Sequence, residues 1–62
     1  MKRKKLLKHL ENNGCRLYRE GSKHTLYINP RNNKFSTIPR HSEIVNFLAL
    51  KICKDLEVDP PK

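Results

Sequence analysis

His24 is the residue of this chain best placed to do chemistry. It stands in Gly21-Ser22-Lys23-His24-Thr25-Leu26-Tyr27, where a glycine turn is followed by a cation, the imidazole and strand-favouring residues. The glycine lets the backbone bend and the strand holds the next residues straight, so a side chain at the junction can be held against a ligand. An imidazole titrates near neutrality and can accept or donate a proton. Lys23, its neighbour, can offset negative charge developing beside it. Taken alone, a histidine that opens a strand is more often bonded to backbone than catalytic. His41 follows Pro39-Arg40 and precedes a helix, which suits fixing a turn or capping the helix, with a second acid-base role left open. His9 lies among helix lysines and reads as solvated.

The charge narrows the ligand. Fourteen Lys and Arg against six Asp and Glu give a net charge of +8 in 62 residues. That balance points to a polyanion, either nucleic acid or an acidic protein. No long amphipathic basic helix is available to lie on a membrane, and no apolar run suits a signal peptide or a membrane span. The expected location is the cytoplasm. Cys15 and Cys53 are far apart in sequence and read as small buried hydrophobes. The histidines do not fall at ligand spacing with them, so neither metal nor cofactor is expected.

The elements that position His24 follow from periodicity. Residues 1–13 read as a helix with Leu6, Leu7 and Leu10 on one face and Lys4, Lys5, Lys8 and Glu11 opposite. That basic face serves equally well as a phosphate contact or as an ordinary solvated surface. Asn12-Asn13-Gly14 ends the helix with a left-handed cap. Residues 15–19 predict a strand with Cys15 and Leu17 inward. Residues 24–28 predict a second strand, and 34–38 a third that Pro39 closes. Asn29-Pro30-Arg31-Asn32-Asn33 is a turn. Ser42 and Asn46 are candidate N-caps for a second helix carrying Leu48, Ala49, Ile52, Cys53 and Leu56. The expected fold is α+β in the order α-β-β-β-α. A three-stranded antiparallel meander carries both helices on one face, and its other face is open. One domain spans residues 1–58, with a polar tail over 59–62. The core should hold Leu6, Leu10, Leu17, Leu26, Ile38, Leu48, Ile52 and Leu56. So small a domain has a thin core, to which a tight partner can add stability.

This order and two motifs resemble the HicA family of small toxins, whose fold is related to the double-stranded RNA-binding domain. The first motif is Gly21 to Tyr27. The second is Ile38-Pro39-Arg40-His41-Ser42-Glu43-Ile44, followed by Ile52-Cys53-Lys54-Asp55-Leu56. Many members place glycine where Ser22-Lys23 stands, and another glycine where Phe47 stands. The resemblance implies a messenger-RNA endoribonuclease with His24 as the catalytic residue. It also implies a HicB-like antitoxin that covers the site.

The residues can support that chemistry. RNA carries its own nucleophile, the 2′-hydroxyl, so the enzyme needs a proton acceptor, a proton donor and cations at phosphorus. With the flanking motif, His24 is the expected acid-base group. Lys23, Lys4, Lys5, Arg19 and Arg40 are the expected phosphate contacts. Tyr27 and Tyr18 are candidates to stack on unpaired bases, although core packing is the commoner fate of a strand aromatic and is the expectation for Phe35 and one of the tyrosines. The competing readings are a non-catalytic double-stranded RNA-binding module and a domain whose positive face meets an acidic protein.

Overall fold

The computed structural model describes residues 1–61. The element order is α1 (Arg3–Asn12), β1 (Arg16–Glu20), β2 (His24–Asn29), β3 (Lys34–Pro39) and α2 (Asn46–Asp55). The strands form one antiparallel sheet in the order β1-β2-β3. The molecule measures 29 × 27 × 16 Å, thin in one direction as expected for one helical layer on one sheet.

Both helices lie on the same face of the sheet. Leu6 and Leu10 from α1 share a buried cluster with Ala49, Ile52 and Cys53 from α2, Tyr27 and Ile38 from the sheet, and Leu56. The expected fold class therefore holds. Burial pushes the Cys15 and Cys53 thiols up from their ordinary range, and both are unbridged. They behave as buried apolar groups, as expected.

The two helices end alike. In α1 the N–H of Cys15 reaches Leu10 O at 2.9 Å and that of Gly14 reaches Glu11 O at 3.0 Å. In α2 the N–H of Val58 reaches Cys53 O at 2.9 Å and that of Glu57 reaches Lys54 O at 3.0 Å. Both are Schellman caps, which require a left-handed residue. Gly14 supplies it at φ 90°, whereas α2 uses Glu57 at φ 57°. Neither Ser42 nor Asn46 caps α2. The cap residue is Val45, with no side-chain bond.

The structure corrects four expected core positions, Leu17, Leu26 and Phe35 in the sheet and Leu48 in α2; Phe35, opposite Ile28, is 43% exposed on the open side. On β2 the inward residues are Thr25, Tyr27 and Asn29, so Leu26 and Ile28 face the open side. The inward polar groups are all satisfied: Tyr27 Oη donates to Glu11 Oε2 at 2.8 Å, and Asn29 Nδ2 donates to Leu56 O at 2.8 Å. Leu26 is thus only half-buried, and so is Leu48. Leu17 is 52% exposed, on an edge strand whose register shifts between Leu17 and Arg19. His9 is not simply solvated, since its Nε2–H donates to Asp59 O at 2.7 Å and ties the tail to α1. Of the expected tail over 59–62, Lys62 lies outside the described residues.

Candidate active site at the Gly21 turn

Gly21-Ser22-Lys23 joins β1 to β2 and delivers His24 as the first residue of β2. The turn closes through Gly21 N–H to His24 O at 2.9 Å. A Cβ on Gly21 would meet that oxygen at 3.1 Å, tighter than most such contacts, so the turn favours glycine. His24 pairs with Pro39 of β3 and lies in the row of Leu26 and Ile28. Its ring therefore belongs to the open face, and the residue is exposed.

A hydrogen-bond network fixes this end of the molecule. Arg3 Nη2 donates to Thr25 Oγ1 at 2.7 Å, and Thr25 Oγ1 donates to Glu20 Oε2 at 2.6 Å. Arg40 Nη2 donates to the same Glu20 oxygen at 2.7 Å and also to Gly21 O. Arg3 Nε donates to Pro39 O at 2.9 Å, and Arg3 N–H donates to Ser42 O at 2.9 Å. The start of α1, the end of β1, the turn, both strand ends and the Pro39–Ser42 segment are thereby one unit. Thr25, beside His24 in sequence, is its buried hub.

The expected phosphate contacts are divided between the turn, the start of α1 and the open face. Lys23 is exposed in the turn itself. Arg40 lies against the turn through Gly21 O, and its Nε and Nη1 donors take no part in those bonds. Lys4 and Lys5 line an open groove of about 590 Å³ together with Lys2, Arg3, Arg40 and Ser42. Arg19 reaches the open face because the irregularity in β1 pairs it with Leu26. Among the described residues, Lys4, Lys5, Arg19 and Lys23 take part in no ion pair.

Tyr27 is the exception. It is 4% exposed on the helix side of the sheet, so it cannot stack on a base. Burial, then the hydrogen bond to the Glu11 carboxylate, pushes its hydroxyl up to about 12. His41 is exposed and caps nothing, since α2 begins after Val45. At Glu43, hydrogen bonding to the Met1 ammonium, with Lys2 nearby, holds the carboxyl below its ordinary range. Among the described residues no three His, Cys, Asp or Glu side chains are grouped to hold a metal.

A family model described as the HicA toxin of bacterial toxin-antitoxin matches residues 3–58. The chain belongs to the HicA toxin family. It is therefore a toxin of a toxin–antitoxin system, and an antitoxin is its partner. The match spans α1 through α2 and includes both motifs, Gly21–Tyr27 and Ile38–Ile44. No curated protein and no solved structure matched the chain. No helix among the described residues is long and apolar enough to cross a membrane.

Two parts of this HicA-family site were not read from sequence. The Arg3–Thr25–Glu20–Arg40 network depends on Thr25 facing inward, and a polar residue in an apolar strand gave no sign of that. The open face also carries Tyr18 packed on Phe35, which the irregularity in β1 brings about.

Proposed function

We propose that this toxin is an endoribonuclease that cleaves messenger RNA by proton transfer through His24. The observation that carries the reading is the exposed His24 at the mouth of a braced turn, next to Lys23, which takes part in no ion pair among the described residues. In this mechanism His24 serves as the acid-base group of an internal transfer. The 2′-oxygen attacks the adjacent phosphorus as its proton leaves, and the bond to the 5′-oxygen breaks with protonation of that leaving group. The products are a 2′,3′-cyclic phosphate and a 5′-hydroxyl. A positioned acid or base contributes about 10²–10⁴-fold to such a step. In this reading Lys23 and the Nε and Nη1 donors of Arg40 offset charge on the phosphoryl oxygens. The lysines of the α1 groove supply attraction along the strand that is independent of sequence. A HicB-like antitoxin of acidic character would silence the toxin by covering this end, with association that weakens as salt rises.

The test is His24→Ala, assayed for RNA cleavage, RNA affinity and circular dichroism side by side. Cleavage should fall by two orders of magnitude or more, with the spectrum unchanged and affinity nearly so. EDTA should leave the parent rate unchanged. A folded His24→Ala protein that cuts at the parent rate would refute the assignment. If the parent binds duplex RNA and cuts none, the protein is instead a double-stranded RNA-binding module.

A further inference from the structure

The face of the sheet that carries His24 is not bare. Tyr18 and Phe35 are 59% and 43% exposed, and their rings pack edge to face with centroids 4.9 Å apart. They come from β1 and β3, the two outer strands, which are separated by roughly 10 Å across β2. The rings therefore meet over the central strand, above the row of Leu26 and Ile28, and this accounts for the half-burial of those two residues on an open face. The register shift in β1 makes this possible. It gives Tyr18 no partner of its own on β2 and turns Arg19 toward the face that already holds Arg16, opposite Ile28. Bulges are common where a side chain must be re-aimed beside a functional site.

We infer that the Tyr18–Phe35 pair is a stacking platform for unpaired RNA bases, with Arg16 and Arg19 holding the backbone that runs beside them. The inference rests on the nuclease reading for the nature of the polyanion and adds the form it takes, a single strand. Bases inside a duplex offer no free ring face, whereas unpaired bases stack on exposed aromatics irrespective of sequence. On β1 Tyr18 stands between Arg16 and Arg19, so the aromatic pair has a cation on either side of one of its rings. Along β2 the platform lies roughly 10 Å from His24. One strand segment can touch both, so the platform holds a nucleotide near the scissile bond rather than the reacting one.

The experiment uses the full-length His24→Ala protein, so that RNA survives the measurement. A single-stranded oligoribonucleotide and its duplex are titrated in parallel, and intrinsic tyrosine emission is followed. Tyr27 is buried, so a change in emission reports Tyr18. The single strand should quench the emission and bind more tightly than the duplex. Tyr18→Leu and Phe35→Leu should each weaken single-strand binding by about five-fold or more, within the range measured for base–aromatic stacking. Tyr18→Phe should keep the affinity and lose the emission change. Equal binding of duplex and single strand, or no quenching in the unsubstituted His24→Ala protein, would overturn the platform. So would a Tyr18→Leu protein that loses an acidic protein partner yet binds RNA unchanged. If the parent cuts no RNA while Tyr18 still governs single-strand binding, the nuclease reading falls and the platform stands. If it cuts RNA and Tyr18→Leu binds and cuts as the parent does, the reverse holds.

Discussion

Replacing Thr25 by valine should cost this small domain a large share of its stability, although the two side chains have nearly the same shape. The Thr25 hydroxyl accepts from the Arg3 guanidinium at 2.7 Å and donates to the Glu20 carboxylate at 2.6 Å. Both partners are ionised, and a hydrogen bond to a charged group is worth about 1.5–3 kcal/mol. Glu20 keeps Arg40 and is exposed, so it recovers part of its loss in water. Arg3 is only half-exposed and keeps Pro39 O. The expected net loss is about 2–4 kcal/mol, against a total of about 5–15 kcal/mol for a typical domain. For a chain of this size the midpoint should fall on the order of 10–25 °C. Urea unfolding followed by circular dichroism measures it, with an unchanged slope showing that only stability moved. Thr25→Ser is the control, because it keeps the hydroxyl and loses one methyl group, worth about 0.8 kcal/mol. A Thr25→Val protein as stable as Thr25→Ser would refute the role given to the network.

Two further outcomes rest on the helix cap and the buried phenol. Glu57→Gly should raise stability by about 0.5–1 kcal/mol in the same urea titration, because it removes a left-handed Cβ penalty of roughly 1–2 kcal/mol and adds a glycine entropy cost of roughly 0.5–1 kcal/mol; the Lys34–Glu57 contact it removes is exposed, with N···O at 3.9 Å, and contributes little. Tyr27 has a raised folded pKa of about 12, so its contribution is complete below the ordinary tyrosine value near 10 and is lost as pH climbs toward 12. Tyr27→Phe should therefore lose stability at neutral pH but show a shallower decline between pH 10 and 12 than the parent, by at most one proton, or about 1.4 kcal/mol per pH unit. Identical alkaline slopes would contradict this linkage.

The helices were legible because one stripe of leucines and isoleucines has a single way to be buried. Leu6, Leu10, Ile52 and Leu56 are all fully enclosed. The sheet was less legible because both sides of β2 can be defended. Leu26 and Ile28 are the apolar set, yet Thr25, Tyr27 and Asn29 point inward, since each finds a hydrogen-bond partner on the helix side or at the strand ends. The displaced apolar pair is then sheltered by Tyr18 and Phe35, an arrangement set by one extra residue in β1. No local pattern announces such a bulge. The Gly21 turn was readable because its geometry calls for the glycine. The second helix cap was not, because Glu57 occupies a place where glycine is the usual signal.

The placement of charge at the start of α1 argues from stability toward the same end of the molecule. Its first turn begins Arg3-Lys4-Lys5, with no acidic residue there and no side-chain cap. Cations at the positive end of a helix dipole are unfavourable, by roughly 0.3–1 kcal/mol each. Arg3 offsets its cost through Thr25 and Pro39. Lys4 and Lys5 have no ion pair among the described residues and face the groove that Arg40 also lines. A chain too small to bury much surface has little stability to spare. Where a sequence breaks a local rule without local compensation, a functional site is the usual reason. Unpaired cations in a groove that Arg40 lines, where Arg40 also bonds to the Gly21 turn, fit a surface whose partner is negative. An RNA backbone and an acidic antitoxin both meet that requirement, and two ligands drawn to the same charge would exclude each other there.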